Sequence, residues 1–173
     1  MKKLLSVLVL FALAFSLVSC SSDDDGPERN EDGLIVYAES GLNFALPDEM
    51  TERNVNYADI CYGDGEAEFF VFFYSRDSLL TECFLSKDAT VKEYAEWCID
   101  FSSCTEVTEE YDEEGRRIKY IFVADDTYYI AVIMRNNDSL IHVTMCCPQD
   151  MRDAYIPEFA VWEKHVSLMY PDN

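Results

Sequence analysis

The sequence predicts an α+β fold in which an antiparallel sheet is flanked by helices on both faces. The segment 67–74, AEFFVFFY, is apolar on both sides of a strand, which is typical of a strand in the middle of a covered sheet. Strand-like segments separated by short polar turns follow one another in the second half of the chain. Two further segments carry apolar residues at helical spacing, so helices are available to cover both faces.

A lipoprotein signal occupies the first twenty residues. Lys2 and Lys3 precede an apolar run over residues 4–18, which is shorter than the roughly 20 residues that a membrane-spanning helix needs. The end of this run, LVSC, resembles the bacterial lipobox, in which the cysteine thiol takes a diacylglycerol and becomes the new N-terminus. We therefore predict a signal peptide at residues 1–19 and a lipid on Cys20 that joins the protein to a membrane.

Residues 20–33 are predicted to form an acidic tether. From residue 21 onward they read SSDDDGPERNEDG, without a large apolar side chain whose burial would offset the entropy lost on ordering. The acidic residues directly after Cys20 resemble the export signal of surface lipoproteins of the Bacteroidetes type, which predicts an outer-membrane protein exposed at the cell surface. An acidic tether can also arise from composition alone.

The net charge excludes one class of partner. The full chain carries a formal charge of -21, and removal of residues 1–19 takes away Lys2 and Lys3 without any acid. Such a protein repels phosphate backbones and anionic lipid head groups. We therefore expect no nucleic-acid partner, and we expect the lipid on Cys20 to hold the protein at the membrane without a basic patch.

One folded domain is predicted over residues 34–173, because no Pro-, Gly- or Ser-rich stretch divides it. Its first part is interpreted as four strands with a turn at 62–65. These strands are expected at residues 34–38, 42–46, 55–61 and 67–74. The segment 75–87 fits no single pattern, and its part 79–85 is interpreted as a short strand or a packed loop.

The first predicted helix starts after Thr90. Thr90 and Glu93 fit a capping box, in which a hydroxyl and a carboxylate accept hydrogen bonds from backbone amides that the helix leaves unpaired. Val91, Tyr94 and Cys98 then recur at helical spacing, which gives this helix one apolar face.

The second half of the chain predicts an antiparallel meander followed by a helix. The strands are expected at residues 105–111, 116–124, 128–134 and 140–147. Beyond them apolar residues continue at helical spacing, and Pro157 is expected in the first turn of this helix, where its missing N–H does no harm. The residues of this apolar stripe are Tyr155, Phe159, Trp162, Val166 and Met169.

Four stretches of the sequence carry a family resemblance. They are GLNFALP at 41–47, ATVKEYAEW at 89–97, MCCP at 145–148 and YIPEFAVWEKHVSLM at 155–169. Their order resembles the PsbP-like family, which is named for an extrinsic subunit of photosystem II and includes DcrB-like bacterial lipoproteins. The resemblance extends over residues 34–170 and implies a PsbP-like α/β/α sandwich. It also implies a protein that binds other proteins, and it brings no shared active site.

Six cysteines lie beyond Cys20, and the sequence leaves their redox state open. An even number in an exported protein permits three disulfides, while a free cysteine is also a common small apolar side chain in cores. Cys146 and Cys147 near His142 suggest a metal site, but neighbouring residues of a strand point to opposite faces. We therefore predict no metal and no cofactor. The six are Cys61, Cys83, Cys98, Cys104, Cys146 and Cys147.

A cluster of acidic residues around Tyr111 is the candidate docking surface that the sequence offers. It lies at a predicted hairpin tip, where carboxylates can steer and contact a cationic partner. The same residues are also typical of a solvated turn that keeps sheet edges from aggregating. The candidate surface comprises Glu109, Glu110, Tyr111, Asp112, Glu113 and Glu114.

No catalytic residues can be assigned from the sequence. His142 and His165 belong to no recognised catalytic or metal-binding pattern, and there is no GxSxG, GxGxxG or phosphate-binding loop. We therefore expect a non-catalytic, lipid-anchored binding module of the cell envelope with an unknown partner. The alternatives are an envelope hydrolase or thiol-redox protein, and a chaperone-like binder of apolar peptide segments.

Lipidation of Cys20 can be tested on protein isolated from the producing cells. Its intact mass is expected to equal that of residues 20–173 plus a diacylglycerol, with or without a third acyl chain. The matched variant Cys20→Ser has no thiol and is expected to carry no lipid. An unmodified Cys20 in the wild-type protein would contradict the assignment.

Overall fold

The computed structural model describes residues 26–102, 104–112 and 115–169, which form two antiparallel sheets and three helices. The helices are α1 (Arg76–Thr81), α2 (Val91–Phe101) and α3 (Arg152–Lys164). The large sheet contains β3 (Thr51–Glu52), β4 (Ile60–Gly63), β5 (Glu68–Ser75), β6 (Thr105–Tyr111), β7 (Arg117–Ala124), β8 (Thr127–Arg135) and β9 (Ser139–Pro148). The small sheet contains β1 (Ile35–Glu39), β2 (Leu42–Leu46) and β10 (Ser167–Leu168).

The two sheets and the helices form layers. Strands of the large sheet lie in the order β3-β4-β5-β9-β8-β7-β6, and those of the small sheet in the order β1-β2-β10. One face of the large sheet packs against α1 and α2, while α3 and the small sheet cover the other face. The predicted α+β architecture is confirmed, with the difference that a second sheet shares one of the covering layers.

Strand β5 lies inside the large sheet between β4 and β9, as its two apolar faces predicted. Phe69 and Val71 are buried in the core beneath α3. Tyr74, which points to the other face, packs into the core beneath α2 against Tyr94. The same strand therefore supports both cores.

Helix α2 and the meander confirm the predictions made for them. The N–H of Glu93 donates to the Thr90 hydroxyl at 3.2 Å, and the N–H of Thr90 donates to the Glu93 carboxylate at 2.7 Å. This pair is the predicted capping box, and it lowers the pKa of Glu93 because the carboxylate accepts the Thr90 hydrogen bonds. Strands β6, β7, β8 and β9 pair in sequence as an antiparallel meander.

The segment expected as a short strand or a loop at 79–85 begins instead as the end of α1. The hydroxyl of Ser75 accepts the N–H of Ser78 at 3.1 Å, which caps the start of this helix. Leu79 is buried in the core beneath α2, and the backbone N–H of Leu85 donates to the carbonyl of Leu79 at 2.9 Å. The remainder of the segment, from residue 82 onward, is the packed loop.

The strand expected at 55–61 is wrong in its position, because β4 starts only at Ile60. The carboxylate of Asp59 accepts the N–H of Phe73 at 2.7 Å. A side chain thus takes the β5 amide that the backbone of a longer β4 would have paired with. The chain before Asp59 consequently leaves the sheet.

The terminal helix was predicted too late in the chain. A 3₁₀ turn at Gln149–Met151 leads directly into α3, so Pro157 lies inside the helix and not in its first turn. The proline leaves the carbonyl of Asp153 without its helical donor, and this exposed residue is open to water. Val166 and Met169 lie beyond the helix, where β10 pairs with β2.

Ordered contacts begin before Leu34, the predicted start of the domain. The N–H of Val36 donates to the carbonyl of Glu28 at 2.8 Å. Arg29 forms an isolated bridge with Ile35 and an ion pair with Asp48 at 2.6 Å. Polar contacts, rather than apolar burial, therefore hold the second half of the predicted tether.

None of the helices in the described residues is long and apolar enough to cross a lipid bilayer. The predicted signal peptide, Cys20 and the first acidic residues of the tether lie outside the described residues.

Phe159 tests how strongly α3 is held to the large sheet. Its side chain is fully buried, between the rings of Tyr155 and Trp162. We expect Phe159→Ala to lower the free energy of unfolding by about 3 to 5 kcal/mol, because it leaves a cavity in the core. Ile156→Ala, at a more exposed position of the same helix, is expected to cost less than about 1 kcal/mol.

Urea denaturation of both variants measures this difference. Equal effects of the two substitutions would contradict the packing of α3 described above.

Candidate binding cleft

The part of the acidic candidate surface from Glu109 to Tyr111 lies on β6, the edge strand of the large sheet, whose residues are exposed along its length. Both carboxylates of this part have partners within the chain. The hydroxyl of Tyr111 donates to Glu109 at 2.6 Å, which raises the pKa of that tyrosine to about 12. Lys119 lies 3.3 Å from Glu110. These carboxylates are thus partly engaged, and their role in docking stays a prediction.

The tip of the same hairpin is only partly described. Asp112 accepts the N–H of Arg116 at 2.8 Å and so closes the turn. Glu113 and Glu114 lie outside the described residues.

The six cysteines beyond Cys20 are free thiols in the structure. Burial raises the pKa of Cys98 and of Cys146 to about 12, and that of Cys147 to about 11. Burial also raises the pKa of Cys61, Cys83 and Cys104. Since the thiolate is the nucleophile, thiols with raised pKa values react slowly near neutral pH.

Metal ligands do not converge in the part of the chain that the structure describes. No group of three or more His, Cys, Asp or Glu side chains there could hold a metal ion. Cys147 belongs to the core beneath α3, so Cys146, the preceding residue of β9, points to the other face, as the strand alternation predicted.

His142 lies between the large sheet and α2, within a set of hydroxyl groups. Its Nδ1 is 3.1 Å from the hydroxyl of Tyr94, and its Nε2 is 3.2 Å from the hydroxyls of Tyr120 and Thr144. Burial lowers the pKa of His142 to about 4, so the ring is neutral at pH 7. A neutral ring that hydrogen bonds to a helix and two strands is a structural tie between these elements.

His165 makes a different contact at the end of α3. Its Nε2 lies 2.7 Å from a carboxylate oxygen of Asp32. This pair connects the end of the helix to the segment that precedes β1.

A cleft beside α3 combines an apolar floor with acidic groups. It has a volume of about 440 Å³, which falls within the range of about 300 to 1,000 Å³ that small-ligand sites occupy. We name it the α3 cleft. Its lining residues are Leu34, Pro47, Glu49, Asp64, Tyr155, Glu158, Val161 and Trp162.

Helix α3 supplies half of this lining because of its periodicity. Tyr155, Glu158 and Trp162 follow one another at steps of three and four, so they lie on one side of the helix. Trp162 is only 3% exposed and is packed against Phe159, so its position is fixed by the core. The rim carboxylate of Glu158 is exposed.

The turn between β4 and β5 supplies a second wall. One carboxylate oxygen of Asp64 accepts the N–H groups of Glu66 and Ala67, each at 2.7 Å. The other oxygen accepts the hydroxyl of Tyr155 at 3.1 Å, and that hydroxyl also lies 3.3 Å from a carboxylate oxygen of Glu66. Two carboxylates therefore converge on one phenol at the edge of the cleft.

Burial, together with Asp64 and Glu66, raises the pKa of Tyr155. The phenol consequently remains protonated and donates its hydrogen to the carboxylates. The lining contains three carboxylates and no lysine, arginine or histidine. Chemically, the α3 cleft can accept a positively charged group that carries an apolar portion.

Sequence reasoning did not find this cleft. Its residues come from four parts of the chain that meet only after folding. The apolar stripe identified Tyr155 and Trp162 as core residues, and Asp64 was recognised only as part of a turn. Glu49 and Glu158 carried no signal that distinguishes them from other surface carboxylates.

His142 makes stability depend on pH. Its pKa is lower in the folded state than the usual value of 6.5, so the unfolded chain binds more protons between pH 6.5 and pH 4. The free energy of unfolding therefore falls as the pH falls through this window. Between pH 7 and pH 5 we expect wild type to lose about 2 kcal/mol more than His142→Gln.

Urea denaturation at the two pH values measures this loss, with His165→Gln as the control that removes the other histidine. The account of His142 is wrong if His142→Gln keeps the pH dependence of the wild type.

Comparison with known proteins identifies the fold of this chain. No protein family and no curated protein sequence matches the chain. The solution structure of cyanobacterial PsbP (CyanoP) from Synechocystis sp. PCC 6803 is similar, with a TM-score of 0.55 and 15% sequence identity, covering 88% of this chain and 99% of that chain. A protein of unknown function from Pseudomonas aeruginosa aligns at a TM-score of 0.45 and 10% identity, covering 80% and 99% of the two chains. The likeness to CyanoP shows that the chain has a PsbP-like fold.

Proposed function

We propose that this protein is a non-catalytic binding module, held at the outer membrane by a lipid on Cys20, that captures an envelope protein in the α3 cleft. The observation that supports it is the cleft itself. An apolar floor with convergent polar groups is the usual form of a binding site. The carboxylates at its rim, together with Tyr155, provide those polar groups.

The six thiols and His142 favour binding over catalysis. The pKa values of the six thiols are raised by burial, which disfavours a thiolate nucleophile. His142 hydrogen bonds to hydroxyl groups, and no carboxylate orients it. A catalytic histidine commonly has such an orienting group.

The tether keeps the α3 cleft close to the membrane. Within the described residues, the backbone of Glu28 is hydrogen-bonded to Val36, and Leu34 lines the cleft. The chain between Cys20 and Glu28 can reach roughly 27 Å when fully extended. A partner that meets the cleft is therefore expected to lie at or near the membrane surface.

Binding of apolar peptides is a second candidate function, which exposed side chains on the opposite layer favour. Leu80 is 48% exposed, Phe84 is 86% exposed and Phe101 is 76% exposed. Phe84 also has a left-handed backbone conformation, with φ of 56°, which is uncommon for a bulky residue. These residues give an apolar partner a place to dock.

Site-specific photocrosslinking in intact cells distinguishes these functions. A photoreactive phenylalanine analogue is placed at Glu158 in the cleft, at Phe84, or at Asp100, an exposed residue of α2 that serves as control. We expect a discrete crosslinked protein from position 158 and none from position 100.

A crosslink from position 84 alone would favour capture of apolar segments. The absence of any crosslink from position 158, at normal expression and localisation, would contradict the proposed function.

A further inference from the structure

We infer that the α3 cleft binds a lysine or arginine side chain, flanked by an apolar residue, in an extended segment of a partner protein. This inference rests on the proposed function, because it names the chemistry of the partner at the same cleft. The charge of the cleft, its apolar floor and the fixed position of Asp64 support it.

The carboxylates of the cleft form no close ion pair with the described part of the chain, and Arg29 acts on Glu49 only from a longer distance, where Asp48 and, to a smaller extent, Glu49 raise the pKa of Arg29. Within the described residues, neither the lining carboxylates Glu49, Asp64 and Glu158 nor the adjacent Glu66 forms an ion pair at 4 Å or less. Glu68, at the start of β5 just after the β4–β5 turn, does have such a partner in Arg53 at 3.0 Å. The lining of the cleft therefore carries a net negative charge, and a cationic side chain complements it.

The floor of the cleft suits the long stem of such a side chain. Leu34, Pro47 and Val161 line it beside the acidic residues. Lysine and arginine bury their methylene stems against apolar surface while the charged head reaches a polar rim. An apolar peptide without a cation would cover the carboxylates without replacing their hydration, which is unfavourable.

Asp64 is held in position before a ligand arrives. Two backbone N–H groups fix one of its oxygens, and the hydroxyl of Tyr155 holds the other. Preorganised groups lose less conformational entropy on binding.

A second copy of the chain is a poor occupant. Each chain carries a formal charge of -21, so the acidic rim of one copy would face another strongly acidic protein. Repulsion between like charges disfavours this contact. A basic segment of a different protein is attracted instead.

The test uses the full chain in detergent and the peptide acetyl-Leu-Lys-Leu-amide as probe. Binding is followed by NMR through the indole N–H signal of Trp162, with acetyl-Leu-Gln-Leu-amide as the neutral comparison. We expect the lysine peptide to shift this signal saturably, and to bind about tenfold more tightly than the glutamine peptide. A higher salt concentration is expected to weaken the binding of the lysine peptide and to leave that of the glutamine peptide unchanged.

Two variants of the chain locate the binding. Glu158→Gln removes a charge from the exposed rim and is expected to lower the affinity for the lysine peptide about threefold to tenfold. Asp100→Asn removes the same charge from α2, on the opposite layer, and is expected to leave the affinity unchanged. Thermal unfolding of both variants checks that the fold is retained.

Three results would overturn the inference. Equal weakening by Asp100→Asn would indicate diffuse attraction to an acidic protein. Equal affinity of the two peptides would indicate capture of apolar segments. Self-association that Glu158→Gln abolishes, seen by analytical ultracentrifugation, would indicate a second copy as the occupant.

The peptide experiment tests the cationic ligand and the crosslinking experiment tests the binding function, so either claim can fail without the other. A crosslink from position 158 without binding of the lysine peptide would support the proposed binding function and contradict the inference that the ligand is cationic. Binding of the lysine peptide that depends on Glu158, without any crosslink in cells, would support the inference that the ligand is cationic. It would contradict the proposed binding of an envelope protein.

Discussion

The covering of both faces of β5, complete for Phe69 and Val71 on one face and partial for Phe70, Phe72 and Tyr74 on the other, is the constraint on which the rest of the structure depends. A strand with large apolar side chains on each side needs a cover on each side, since exposure of either set would cost hydrophobic free energy. Helices α1 and α2 supply one cover, and α3 with the small sheet supplies the other. The α3 cleft forms within this second cover, where the helix meets the β4–β5 turn and the chain on either side of the small sheet.

The chemistry of the two layers differs. On the α2 side, His142 and the phenols of Tyr94 and Tyr120 satisfy one another inside the core. On the α3 side, Tyr155 directs its hydroxyl outward to carboxylates that solvent can reach. Buried polar groups that satisfy each other stabilise a fold, while accessible groups without an internal cation are available to a partner. This contrast explains why we assign binding to the α3 side.

Much of the fold could be predicted from the sequence, because local patterns determine it. The capping box at Thr90, the meander and the central position of β5 each depend on residues close together in the chain. The errors arose where a single side chain or a tertiary contact overrides such a pattern. Asp59 ends the pairing of β4, and β10 forms only because β2 is nearby. The cleft could not be predicted, since Leu34, Asp64 and Trp162 become neighbours only through folding.

The most direct measurement of the central claim is hydrogen exchange of the backbone amides, compared between the protein in its native envelope fraction and the full chain purified in detergent. If a partner occupies the α3 cleft, amides of α3 and of residues 62–67 exchange more slowly in the envelope, because binding protects the elements that line the cleft. Unchanged exchange in both regions, or slower exchange confined to β6, would contradict the assignment of the cleft as the binding site.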